Sequence, residues 1–257
     1  MQIQNSRIQD IVKHFSDRSE RYDKQFDWVN DSNILDIMIE NLSERTGAIL
    51  DLGAGTGAIA KHILKRCGGD YKIIALDICQ DMLNQINDIR IETVCSGVEE
   101  LPFEDDSFDI VISRQCLHYV EDVEKALEEV NRVLKKDGIF VLAQIVPIDK
   151  ATSSDWESVV KIRQPLRKWY FTSEEWDAVV EKHSFILHSH QKYVKAASIS
   201  KWARKYGSDD MVRRKYMQKL LSMNDDYKKK YAVCEMESDV TYYSFWYIAR
   251  YMKKLND

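Results

Sequence analysis

Nine residues constrain this chain most: Ile49-Leu50-Asp51-Leu52-Gly53-Ala54-Gly55-Thr56-Gly57. A short apolar run that ends in an acid reads as a buried parallel strand. The three glycines behind it let the backbone turn tightly and approach a ligand without intervening Cβ atoms. After Gly57, Ile59, Ala60, Ile63, Leu64 and Cys67 recur at helical spacing, and Gly68-Gly69 offers a stop. The expected unit is strand, glycine turn, helix, with a nucleotide-like ligand at the carboxyl end of the strand. Gly53, Gly55 and Ala58 also satisfy the looser G-x-G-x-x-A dinucleotide pattern, so the glycines alone do not choose the ligand. Asp51 does favour one class, because a carboxylate where the strand opens attracts an ammonium group and repels a diphosphate.

In this acid-G-x-G-x-G arrangement the chain resembles the class I S-adenosylmethionine-dependent methyltransferases. The resemblance implies a Rossmann-like, doubly wound α/β fold: a seven-stranded sheet with an antiparallel last strand, N-terminal helices, and a helical lid inserted before that strand. It also implies Asp51 toward the amino-acid end of S-adenosylmethionine, a backbone bed of Gly53, Ala54, Gly55, Thr56 and Gly57, and S-adenosylhomocysteine as the product.

The 257 residues suffice for one substantial core. A net charge of −5 and a pI near 5.8 argue against a general nucleic-acid binder, which needs a basic footprint. No apolar run approaches membrane-spanning length and the first residues lack a secretory pattern, so the expectation is a cytoplasmic protein without membrane insertion, a monomer or homodimer. Cys67, Cys79, Cys95, Cys116 and Cys234 form no C-x-x-C pair, and His183, His188 and His190 match no zinc motif. The cysteines are expected to be reduced and mostly buried, and no metal is expected.

A single domain is expected, divided into an N-terminal helical lid (1–44), a cofactor-binding core (45–193), a helical substrate lid (194–238) and a terminal strand (239–257). Two apolar helical faces precede the glycine strand, one of Ile8, Ile11, Val12 and Phe15 and one of Leu35, Met38, Ile39 and Leu42. Between them lies a charged, aromatic segment with Tyr22-Asp23. In resembling families such a segment closes over the cofactor and makes Tyr22 a catalytic candidate; a packing helix is the alternative.

A second strand, 71–76, leads to Asp77, twenty residues past Gly57, where an acid suits the ribose hydroxyls. Ile78 would lie on adenine, and Met82 begins the next helix. A third strand, 91–95, runs into Gly97, Val98 and Glu99, the expected adenine site. Relatives carry a polar residue where Gly97 stands, which shifts recognition to backbone groups. After the fourth strand, 110–113, the resemblance makes Ser113 and Leu117 cofactor contacts and Arg114 and Tyr119 substrate candidates. His118 is a candidate base, because imidazole accepts a proton near neutral pH, with packing as the alternative.

A long amphipathic helix follows, stopped by Lys135-Lys136-Asp137-Gly138, then a buried fifth strand, 139–146. Asp149 at its end is a second candidate base or a loop cap. A sixth strand is expected at 185–193. Trp169 and Trp202 are the aromatic candidates for substrate contact. Residues 194–231 carry eleven Lys or Arg against four Asp, either as a solvated helical face or as a lid attracting an anionic group.

The resemblance covers roughly 45–146 and extends most closely to ubiquinone/menaquinone-type small-molecule methyltransferases, with weaker similarity to malonyl-carrier-protein O-methyltransferases. It implies methylation of a small aromatic or anionic acceptor at oxygen or carbon, an acyl carrier protein being a further possible partner. An NAD(P)-dependent oxidoreductase and a non-methylating or non-catalytic S-adenosylmethionine-binding protein are the rivals.

Overall fold

The computed structural model describes residues 2–40, 42, 47–67, 71–201, 210–237 and 239–254. The glycine strand is β1 (Gly47–Leu52), flanked in sequence and space by β2 (Tyr71–Asp77), β3 (Ile91–Cys95), β4 (Phe108–Arg114) and β5 (Leu134–Val146). These five pair in parallel, in the spatial order β3-β2-β1-β4-β5. The sheet continues through β8 (Asp239–Lys253) to β6 (Phe185–Ser198), with β8 antiparallel to both neighbours. A short β7 (Cys234–Met236) folds against the start of β8 and makes eight strands where seven are expected. The chain order reverses between β1 and β4, so the carboxyl ends of these two strands open a crevice there.

The parallel strands are apolar on both faces because helices cover both. α3 (Ser32–Ile39) and α4 (Ala58–Arg66) bury Leu35, Met38, Ile59 and Ile63 against one face. On the other, α6 (Val123–Val133) and α8 (Ser173–Glu181) bury Leu127, Val130, Trp176 and Val180. Their start points are chemically specified. The Asp31 carboxylate accepts the Asn33 and Ile34 amides, Asp122 accepts from Lys125, and Thr172 with Glu175 forms a reciprocal capping box. α1 (Gln2–Ser16) and the one-turn α2 (Tyr22–Gln25) lie at the crevice. A third cluster unites α7 (Ser153–Arg163), α9 (Asp210–Leu221), α10 (Asp225–Lys230) and the start of β8.

Several boundaries differ from expectation. Gly138 does not end α6. That helix stops at Val133, and Leu134 already pairs with Phe108, so the Lys135-to-Gly138 segment is a bulge inside β5 with Asp137 at φ 60°. The helix containing Met82 is only α5 (Gln80–Leu83). β6 runs on to Ser198, so the helical insertion begins later than Val194. Cys95 and Cys234 are exposed, although all five cysteines are free. Gly68-Gly69 lies outside the described residues. None of the described helices is long and apolar enough to cross a membrane.

Gly53 holds the crevice open. Its φ is +73°, and a Cβ there would stand 2.4 Å from the Cys116 side chain. Gly53→Ala therefore combines backbone strain with a steric clash, and is expected to cost roughly 1–3 kcal/mol. Urea unfolding measures it; an unchanged midpoint would show that the turn tolerates a side chain.

Candidate active site

The glycine turn is bonded to the tip of β2. The amides of Gly53 and Ala54 donate to the Leu76 carbonyl oxygen at 2.8 and 2.9 Å. The Gly55 amide donates to one oxygen of Asp77 at 2.8 Å, and the Cys79 amide to the other at 2.9 Å. The turn and the acid are therefore one rigid unit on the edge of a cleft. Gly53 to Thr56 form its floor, Asp77, Ile78 and Met82 one wall, and Gly97, Val98 and Glu99 a corner. Nothing lies within 4 Å of where a Gly97 side chain would begin, so the cleft is open at that position.

The roof comes from the N-terminal segment. Ile11 and Phe15 of α1, with Tyr22, Trp28 and Val29, line the cleft. Phe15, Tyr22, Phe26 and Trp28 pack ring against ring at centroid distances of 5.0–6.3 Å. Three polar contacts fix this roof. Arg7 donates to the carbonyl oxygens of Tyr119 and Leu166, both at 2.9 Å, and pairs with Glu121. Thr56 of the turn donates its hydroxyl to Asp23. Arg114 donates to the Val29 carbonyl oxygen at 3.0 Å, with its guanidinium 5.1 Å from the Trp28 ring.

Thirteen of the residues expected at the site line this cleft: Tyr22, Gly53, Ala54, Gly55, Thr56, Asp77, Ile78, Met82, Gly97, Val98, Glu99, Arg114 and Tyr119. Others stand behind it. Gly57, at φ +75°, sets the start of α4. Ser113 spends its hydroxyl on the Leu52 carbonyl oxygen, and Leu117 is core. Trp169 donates its indole N–H to Val120 and packs on Phe171. Trp202 lies outside the described residues.

The two proposed bases are not in the cleft. His118 is fully buried with Nδ1 2.7 Å from Gln144 Oε1, while its carbonyl oxygen accepts the Lys168 and Trp169 amides. Burial, and then the nearby Arg167 charge, push its pKa far below the usual histidine value, so it stays neutral and packs. Asp149 accepts the Thr152 amide and hydroxyl and pairs with Lys230 at 2.9 Å. Burial would raise its pKa, but Lys230 and Thr152 outweigh that and hold it below the usual carboxylate value. Its role is that of a loop cap. Ile11, Phe15, Trp28, Gln115 and Cys116 line the cleft without having been expected there. The helical spacing of Ile11 and Phe15 was the available signal, since a helix whose apolar face covers a ligand has the same pattern as one that covers a core.

Asp51 lies beneath the turn, 1% exposed; one oxygen accepts the Ala60 amide at 3.3 Å and the other has no partner among the described residues. Burial pushes its pKa up to about 7, with the Arg114 charge pulling the other way. An orphaned acceptor next to a glycine bed fits a ligand with a cationic end, and Asp77 fits one with vicinal hydroxyls. The S-adenosylmethionine implied by the resemblance has both.

Residues 50–142 match the family model described as a methyltransferase domain. A Bacillus subtilis protein described as the uncharacterized methyltransferase YcgJ is 26% identical over 192 residues, covering 72% of this chain and 75% of that one. Its crystal structure superposes with a TM-score of 0.78 at 23% identity, covering 88% of this chain and all of that one. The mouse mitochondrial arginine-hydroxylase NDUFAF5 is 43% identical over 94 residues, 36% of this chain and 27% of that one. A malonyl-[acyl-carrier protein] O-methyltransferase from Halorhodospira halophila is 32% identical over 145 residues, 53% of this chain and 48% of that one. The chain thus spans less than half the length of the last two.

Asp51 also makes a prediction about stability. Its folded pKa exceeds the unfolded value of 3.8, so between about pH 4 and 7 the folded chain holds a proton that the unfolded chain has released. Its contribution therefore weakens the fold as pH rises across that window and levels off above 7. Relative to the wild type, Asp51→Asn should gain urea stability between pH 5 and pH 7.5. Parallel pH profiles for the two proteins would mean that Asp51 ionises normally.

Proposed function

We propose that this chain, whose residues 50–142 match the family model described as a methyltransferase domain, transfers a methyl group from S-adenosylmethionine to a small-molecule acceptor, at oxygen or carbon. The observation that carries the reading is the unit of glycine turn and Asp77, roofed by the aromatic segment. In this reading Asp77 binds the ribose hydroxyls, Gly97 and Val98 border adenine, and buried Asp51 lowers the energy of an ammonium group near the turn.

When bound, S-adenosylmethionine supplies a methyl group already activated on a sulfonium. The chain's own task is then to orient two reactants and keep water out. The ring cluster of Phe15, Tyr22 and Trp28 does the excluding, and Arg7, Thr56 and Arg114 keep it closed. Of the proton-handling candidates, Tyr22 and Tyr119 face the cleft, whereas His118 and Asp149 do not. Burial raises the Tyr119 pKa while Arg167, Arg18 and Arg163 draw it down, which suits a phenol that hydrogen-bonds an acceptor more than a strong base.

A second reading, cofactor binding without methylation, is favoured by the similarity to an arginine-hydroxylase over 94 residues. The malonyl-carrier-protein relative favours an acyl carrier as the partner. An oxidoreductase reading has less support, because β8 runs antiparallel between β5 and β6 and the Asp51 carboxyl lies directly beneath the turn that a diphosphate would approach.

Asp77→Asn tests the cofactor geometry. Loss of charge-assisted hydrogen bonds should weaken S-adenosylhomocysteine by roughly 1–3 kcal/mol, read by calorimetry with circular dichroism as the fold control. Unchanged affinity in a folded variant would remove Asp77 from the ribose.

A further inference from the structure

The cofactor cleft is polarised. The acids that line it, Asp77 at the end of β2 and Glu99 after β3, stand on one side of the glycine turn, and both are spent on backbone amides: Asp77 on Gly55 and Cys79, Glu99 on Asp122. No other acid lines the cleft among the described residues. On the other side of the turn, at the end of β4, stand Arg114 and Gln115, with the Trp28 ring of the roof against the Arg114 guanidinium.

This β4 side carries donors without acceptors. Gln115 is 9% exposed and lines the cleft, yet its side-chain Nε2 has no hydrogen-bond partner among the described residues. Its backbone sits in the left-handed region, at φ 54°, where its amide donates to the Ala143 carbonyl oxygen at 3.0 Å. That conformation is strained for a residue with a Cβ, and strained residues cluster where ligands bind. The Trp28 indole Nε1 is a second buried donor of the lining that lacks a partner among the described residues. Arg114, also 9% exposed, is the cation beside it. Its guanidinium donates to the backbone carbonyl oxygens of Val29 at 3.0 Å and Trp28 at 3.4 Å, and it pairs with no carboxylate among the described residues. Asp51 acts on that charge from beneath the turn, outside the cleft lining. A buried N–H without an acceptor is costly, and the oxygens of one anion satisfy several donors at once.

We propose that Gln115, Trp28 and Arg114 form a carboxylate-binding corner of the cleft, in which the two neutral N–H groups take the oxygens and the guanidinium balances the charge. The assignment rests on the reading of this cleft as the S-adenosylmethionine site and deepens it. An α-amino-acid end carries an ammonium and a carboxylate on one carbon. That pair complements the unpartnered Asp51 oxygen beneath the turn and the unpartnered donors on its β4 side. A carboxylate reaches the corner from one of two molecules, the cofactor or an acidic acceptor, and two sets of titrations tell them apart.

Calorimetry on the full chain compares S-adenosylhomocysteine with its decarboxylated analogue, which keeps the ammonium group. NMR titration compares benzoate with the neutral benzamide, on the free protein and on the protein loaded with S-adenosylhomocysteine. Gln115→Glu keeps the side-chain shape and turns a donor into an anion, Trp28→Phe keeps a ring and removes the N–H, and circular dichroism checks that both fold. If the carboxylate is the cofactor's, each substitution weakens S-adenosylhomocysteine about ten-fold or more and the decarboxylated analogue less than about two-fold. If it is the acceptor's, S-adenosylhomocysteine affinity is unchanged, and a benzoate-over-benzamide preference of about ten-fold is abolished by either substitution. Both ratios unchanged in every variant that folds would overturn the corner. Failure of the unaltered protein to bind S-adenosylhomocysteine would overturn the cofactor reading instead, and the benzoate-to-benzamide ratio on the free protein would still decide whether the corner binds a carboxylate.

Discussion

The structure depends on the hydrogen bonds that tie the first glycine turn to the tip of the neighbouring strand. The Gly53 and Ala54 amides both donate to the Leu76 carbonyl oxygen of β2, and the Gly55 amide donates to the Asp77 carboxylate. An unpaired turn would leave several amides exposed to an apolar cleft, which is expensive. Asp77 satisfies two of them while lining the cleft, so the same bonds fix the distance between the glycine turn and the acid.

The roof is organised by a different principle. It is a short helical segment whose aromatic rings pack on one another, and it is attached to the rest of the fold both by polar contacts and by aromatic ones, Trp28 on Trp246 of β8 and Phe15 on Tyr119.

Much of this was legible in sequence where local chemistry is decisive. The glycine turn, the acid twenty residues on and the doubly buried strands follow from backbone geometry and period, and Thr172 with Glu175 is a readable cap. The legible part thins where position depends on side chains that arrive from distant segments. His118 looks like a base in a string of residues after a strand, yet burial, and then the charge of Arg167 from a loop, keep it neutral, while Gln144 of the adjacent β5 bonds its Nδ1. Asp149 reads as a carboxylate at the active edge until Lys230, eighty-one residues later, pairs with it. Gly138 suggests a helix stop because nothing local shows that Leu134 already pairs with Phe108. The buried tyrosines 216, 227, 231 and 242 of the third core cluster come from three separate segments, and their common packing exists only after folding.

The measurement that tests the account most directly is calorimetric titration of the purified chain with S-adenosylmethionine, S-adenosylhomocysteine and NADH side by side. The account predicts saturable, one-to-one binding of the first two and none of the third. Binding of NADH alone would contradict it, because a cleft built around Asp51 and Asp77 would then be accommodating a diphosphate.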